Sequence, residues 1–348
     1  MSKSFSRRRL LQFGAAAAAA GTLAPLAGGA AAARADGDLP DSLRFDLDTP
    51  STMLLREKAL QNVTVLQSLA FDNTNRRIYT AQVVQGGLKL SGESTTVAGA
   101  DRARRGDLAI TQLDLAGNKL GYMYLKGFGH GVSIGVEPVG TSAYLWVETD
   151  GVSDGTNAWG RALARLKFTS GQVLTNTSSA LEKFQPVAGA TSTTPAIDPT
   201  TNRLIMRYVL NGQRLITAYD LASVKARTYA PLATVQQPAV VAPTNQPFQG
   251  YTALGRYLYL LEGAAYGNPG STAPDGNTYI TSVDLTTGAV VQRFLTRAGY
   301  SLDYREPEGM AIQLTNPADP SSARLTEGFA SGASGARKMS VYYKDVLV

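Results

Sequence analysis

A unit of two short β-type runs joined by a polar turn recurs five times along this chain, and such a repeat restricts the fold more than any single residue does. Leu66-Gln-Ser-Leu-Ala-Phe-Asp72 passes through Asn73-Thr-Asn75 into Arg77-Ile-Tyr-Thr-Ala-Gln82. Thr194-Pro-Ala-Ile-Asp198 passes through Pro199-Thr-Thr-Asn202 into Arg203-Leu-Ile-Met-Arg-Tyr208. Between these, Gly131 to Glu137 turns at Pro138 to Gly140 into Tyr144 to Glu148. After them, Gly250 to Leu254 turns at Gly255-Arg256 into Tyr257 to Glu262, and Gly309 to Gln313 resumes at Arg324 to Phe329. Each pair is followed by a third run: Ala109 to Leu115, Ala162 to Phe168, Leu215 to Leu221, Tyr279 to Leu285 and Ser340 to Val348.

Counted from Ser68, Val132, Pro195, Gly250 and Gly309, the steps are 64, 63, 55 and 59 residues. They exceed the roughly 40–50 residues of common propeller repeats, so long loops must separate the strands. β-branched and aromatic runs bounded by turn residues, with no long run at helical spacing, make the class all-β. Five repeats arranged radially predict a five-bladed β-propeller, with a β-sandwich as the alternative. The region Leu43 to Leu47 is the candidate for a strand that completes the last blade and closes the ring. Asp72, Asp114, Asp198, Asp220 and Asp284 end strands just before turns, where Asp caps its own backbone and is not expected to hold calcium.

The ends and the charge narrow the class further. Ser6-Arg7-Arg8-Arg9-Leu10-Leu11-Gln12, followed by a mild apolar stretch to Ala33-Arg34-Ala35, reads as a twin-arginine export signal with a small-residue cleavage site. Residues 36–348 are then a single secreted domain, expected to be monomeric and not inserted in a membrane. The whole chain carries +6, but setting aside Lys3, Arg7, Arg8, Arg9 and Arg34 leaves 28 basic against 27 acidic residues. A near-neutral domain has no general attraction for nucleic acid, and Arg102, Arg104 and Arg105 read as a solvated loop cluster. The absence of Cys excludes disulfides, thiolate catalysis and Cys-based zinc sites. A single His cannot build a His-rich metal site, so neither a metal nor a cofactor is expected.

Gly127-Phe-Gly-His-Gly131, Tyr144-Leu145-Trp146, Arg305-Glu-Pro-Glu-Gly309 and Phe329-Ala-Ser-Gly332 resemble a β-propeller family. It includes teichoic-acid-biosynthesis-protein-C-like proteins, receptor-binding tail proteins of staphylococcal phages and helveticin-J-like bacteriocins. The resemblance covers almost all of the domain. It implies a five-bladed propeller and a cell-wall glycopolymer or similar saccharide as ligand.

In a propeller the leading ends of the inner strands converge around the axis. The positions concerned are Gln67-Ser68, His130-Gly131, Thr193-Thr194, Gln249-Gly250 and Glu308-Gly309. They are mostly polar, as a ring facing carbohydrate hydroxyls must be. Gln67, Gln249, Glu306, Glu308 and Trp146 are the candidate binding residues. Arg305 is the candidate clamp for a carboxylate or phosphate. An alternative is a polysaccharide lyase, with Arg305 neutralising a uronate carboxylate and His130 or a tyrosine such as Tyr251 as base. A hydrolase pairing Glu306 or Glu308 with Glu148 or Glu262 is a weaker alternative.

Overall fold

Each repeat of the sequence becomes one sheet of antiparallel core, and in three of the five its turns are fixed locally by aspartate. Asp72 accepts the Asn75 N–H at 2.8 Å, Asp114 the Asn118 N–H at 2.8 Å, Asp198 the Thr200 N–H at 2.9 Å and Asp284 the Thr286 N–H at 2.7 Å. Asp220 caps the short helix Leu221–Lys225 by accepting the Ser223 N–H at 2.7 Å. These are the five turn aspartates expected from the sequence. The computed structural model describes residues 39–239 and 247–348; the export signal expected over residues 1–35 lies outside them.

Five sheets form five blades. Blade one runs outward from Leu66–Asp72 through Arg77–Val83 and Leu108–Asp114 to Lys119–Lys126, and Val173–Thr175 adds a parallel strand to its outer edge. Blade two is Gly135–Val139, Ser142–Thr149, Ala162–Lys167 and Glu182–Phe184; blade three is Thr191–Asp198, Arg203–Leu210, Gln213–Asp220 and Pro231–Gln236. Blade four is Phe248–Leu254, Tyr257–Glu262, Tyr279–Asp284 and Val290–Leu295. Blade five is Glu306–Leu314, Ala323–Ser331, Lys338–Lys344 and, outermost, Thr52–Lys58 from the other end of the chain.

The ring therefore closes as expected, with one correction. The strand that completes blade five is Thr52–Lys58, not Leu43 to Leu47. The earlier segment still ties the ends together: the Arg44 and Asp46 N–H groups donate to Val348 and Val346 carbonyls at 3.0 and 2.9 Å. Phe45 is buried edge-on against Tyr259 of blade four, and its N–H donates to the Tyr259 hydroxyl at 2.9 Å.

Sheet faces carry the stability. Each consecutive pair of blades shares its own apolar cluster: Leu145 against Ile110, Trp146 against Met206, Ile205 against Leu258, Tyr259 against Ile312, and Val341 against Phe71. The circle of interfaces has no end, so every sheet buries both faces. Arg102 departs from the sequence reading. It lies on the short helix Gly99–Arg105, is fully buried, and binds Glu93 at 2.5 Å and Asp107 at 2.8 Å. A guanidinium taken from water needs this bidentate compensation, and sequence proximity to Arg104 and Arg105 concealed it.

Near the axis the inner strands approach until backbone touches backbone. Gly309 has φ +79°, and a Cβ there would stand 2.6 Å from the Cα of Ser68 in blade one. Gly140 also has positive φ, +57°, but its missing side chain faces open space. Gly309→Ala is expected to cost at least about 2 kcal/mol more in unfolding free energy than Gly140→Ala, whose left-handed backbone alone costs about 1–2 kcal/mol. Denaturant titration of the two variants checks this; equal losses would mean that the axial contact is slack.

Candidate functional site

Four inner strands carry a register shift at their leading ends. The pairing jumps between Leu66 and Ser68, Thr191 and Thr194, Phe248 and Gly250, and Pro307 and Met310. A bulge inserts an unpaired residue and re-aims side chains. In blades one and four the residues so displaced are Gln67 and Gln249; in blade five Glu308 lies within the shifted stretch. All three face one axial mouth.

That mouth has a volume of about 420 Å³. The side chains lining it are of three kinds. Gln67, Gln249 and His130 are neutral and polar, and Glu306 and Glu308 are acidic. Trp159, Phe248 and Tyr304 provide aromatic walls, supplemented by Val65, Val132 and Pro247. A larger groove of about 720 Å³ runs along the flank between the outer strands of blades four and five, past Met53, Phe294 and Tyr300. The axial mouth gathers convergent polar groups with perturbed ionisation beside aromatic walls, the combination that marks a binding site.

His130 is held by the deepest carboxyl of blade two. Glu148, fully buried, accepts the Gly131 and Gly160 N–H groups at 2.6 Å each, one on each oxygen, and the His130 N–H as well. A Cβ at Gly129 would lie 2.1 Å from Glu148 Oε2, so the Gly-rich loop is the condition for this approach. Burial raises the Glu148 carboxyl to about 7 against the pull of these donors. Burial also pushes His130 down to about 4, opposed by Asp154, so the imidazole is neutral at neutral pH. Its ring packs on Trp159 with centroids 5.0 Å apart, and Asp154 accepts the Trp159 indole N–H at 2.7 Å.

Of the residues expected from sequence, Gln67, His130, Gln249, Glu306 and Glu308 meet at the mouth. Blade three contributes none of the lining: Thr193 donates to the Ala162 carbonyl at 3.1 Å and Thr194 lies beside Tyr251. Arg305 is a correction. It is 0% exposed, its donors are spent on the Ala298 and Thr296 carbonyls at 2.8 Å and on Thr278 at 3.0 Å, and it is no part of the lining. A clamp on an anionic sugar would have to give up these bonds.

Tyr251 is a second correction. Fully buried, its hydroxyl donates to the Thr194 carbonyl at 2.5 Å and accepts the Arg207 N–H at 3.1 Å, and burial raises its pKa strongly. It stitches blade three to blade four and cannot serve as a base. Trp146 is a third. It is buried between blades two and three, stacked on Phe184 at 4.9 Å with its indole N–H on Glu137. The carboxylate partners offered for hydrolysis are likewise engaged away from the mouth, Glu148 by backbone N–H groups and Glu262 by Arg293.

The aromatic residues of the mouth that were not among the candidates read from the sequence are Trp159, Phe248 and Tyr304. Phe248 precedes Gln249 and Tyr304 stands two residues before Glu306, which was the available signal.

Residues 65–343 match the family described as the phage 5-bladed beta propeller receptor binding platform domain. A Bacillus subtilis (strain 168) protein provisionally named major teichoic acid biosynthesis protein C is 28% identical over 306 residues, covering 86% of this chain and 63% of that protein. The tail fiber of Staphylococcus aureus phage P68 superposes with a TM-score of 0.64 at 20% identity, covering 87% of this chain and 54% of the fiber. This chain thus spans less than two thirds of either relative. Among the described residues no helix is long and apolar enough to cross a membrane.

The Glu148 cradle generates a pH prediction. A carboxyl whose folded pKa of about 7 exceeds its ordinary 4.5 holds its proton longer when folded, so it loses stability as pH rises between those values. His130 acts oppositely, since its lowered pKa means that the unfolded chain binds the extra proton. Subtracting the Glu148→Gln curve from the wild-type curve cancels His130. The difference in unfolding free energy is expected to fall by about 1.4 kcal/mol per pH unit between pH 4.5 and 7. A flat difference would show that Glu148 does not titrate in that window.

Proposed function

The chain belongs to the phage five-bladed β-propeller receptor-binding platform family, and from that membership we propose that it binds a cell-surface or cell-wall glycopolymer at its axial mouth. The observation that carries this reading is the set of bulges that brings Gln67, Gln249 and Glu308 to one mouth walled by Trp159 and Phe248. Amide groups exchange hydrogen bonds with sugar hydroxyls, and flat rings accept the apolar face of a pyranose. The relative named for teichoic acid synthesis supports a wall polymer as the ligand class.

Among the described residues, the mouth lining contains no Lys or Arg. Phosphates of an anionic polymer therefore remain toward solvent while the mouth reads the sugar. Elimination from a uronate loses its support, because the cation meant to neutralise the carboxylate is Arg305, buried elsewhere. The export signal read over residues 1–35 supports action outside the cytoplasm. One chain completes the ring with its own strand Thr52–Lys58, so a monomer suffices.

Titration of a purified wall glycopolymer onto the protein tests the reading. Trp159→Ala and Gln249→Ala should each weaken binding by about 1–2 kcal/mol, roughly five- to thirtyfold in Kd. Arg305→Lys should lower the melting temperature and leave the affinity of the folded protein unchanged. Unaltered binding in both mouth variants would remove the axial mouth as the site.

A further inference from the structure

Among the described residues, the lining of the mouth holds two carboxyls and no Lys or Arg. Glu306 and Glu308 stand two residues apart on the inner strand of blade five, both in the lining. Glu308 is only 5% exposed, and among the described residues no hydrogen bond reaches it; the one charge acting on it is that of Glu306. Both carboxyls are held above their ordinary range, Glu306 by burial and Glu308 by burial and its neighbour. The charged and titratable groups facing them are few. Tyr304 hydrogen-bonds Glu306, and Arg337 acts on Glu306 from the face of the Tyr304 ring, 3.2 Å from its centroid, while bound to the Gly332 carbonyl. His130, across the mouth, is neutral, and its Nδ1 is buried without a partner.

A buried carboxyl without a partner is unfavourable when charged, and it becomes favourable when a cation arrives with it. The cation cannot be a hard metal ion in a dedicated cage. Calcium takes six to eight oxygen ligands, and among the described residues no group of three or more acidic or His side chains is placed to hold a metal ion. Two carboxyls beside Trp159, Phe248 and Tyr304, in a mouth of about 420 Å³, suit a cation carried on an organic ligand. We propose that the mouth selects a saccharide unit bearing a protonated primary amine, with its ammonium group held between Glu306 and Glu308. This rests on the reading of the mouth as the glycopolymer site, and adds to it the chemical class of the unit bound. Arrival of the ammonium drives the carboxyls to ionise, so their protons pass to the buffer as the complex forms.

The test compares a β-1,4-linked glucosamine hexamer with its fully N-acetylated counterpart at pH 6, by calorimetry in two buffers of different ionisation enthalpy. The free-amine oligomer should bind at least tenfold more tightly, with a buffer-dependent heat that reports proton release. Glu308→Gln should abolish the preference and reduce the proton release. Glu306→Gln and the wild-type buffer dependence give the same answer should Glu308→Gln fail to fold. Equal or tighter binding of the acetylated oligomer overturns the inference, as does absence of proton release or failure of the free amine to bind. If both oligomers bind equally and Trp159→Ala weakens both, the amine selection falls while the mouth stands. If neither binding event responds to Trp159→Ala, the reading of the mouth itself falls.

Discussion

Each of the five sheets has two apolar faces, and neither is stable in water until a neighbouring sheet covers it. The circle of inter-blade clusters meets this need only when its last gap is sealed, which is why the chain's first strand, Thr52–Lys58, belongs to its last sheet. The same closure sets the width of the axis. Pulling five sheets together forces Gly309 against Ser68 and Gly250 against Gly309, and the strands relieve the crowding by bulging there. The bulges turn Gln67 and Gln249 toward the axis. The polar mouth is thus a consequence of how the ring packs.

The polar candidates read from the sequence divide into groups that support the fold and groups that remain available at the mouth. Glu148 has both oxygens committed to backbone N–H groups and holds the Gly-rich loop. Arg305 and Tyr251 use their polar atoms on carbonyls and backbone and hold the blades together. Glu308 and His130 Nδ1 lack such commitments, and they border the cavity. A family whose description is receptor binding fits a molecule that keeps unspent hydrogen-bonding capacity at an axial concavity.

Much of this was legible in the residues. The repeat spacing gave five blades, the aspartates marked turns in three of them, and the polar leading ends pointed to Gln67, Gln249 and Glu308. What failed was the assignment of neighbours to one surface. Tyr304, Glu306 and Glu308 share a parity and line the mouth, whereas Arg305 lies between them and points into the protein. A positive φ of 67° at Tyr304 and 42° at Arg305 helps turn the chain there, and no motif announces it. Trp146 was misplaced for a related reason: it lies on the second strand of its blade, in an inter-blade cluster, so proximity to a family motif says nothing of the axis.

The chain has two tryptophans, one in each environment: Trp146 fully buried between blades two and three, Trp159 at the mouth. Fluorescence titration with a glycopolymer therefore tests the central claim directly. With Trp146→Phe the remaining emission comes from Trp159, and it should shift in intensity or wavelength to saturation with the same Kd as calorimetry gives. With Trp159→Phe the emission of Trp146 should stay constant as the polymer is added. A saturable change from Trp146 together with silence from Trp159 would contradict the axial mouth as the binding site.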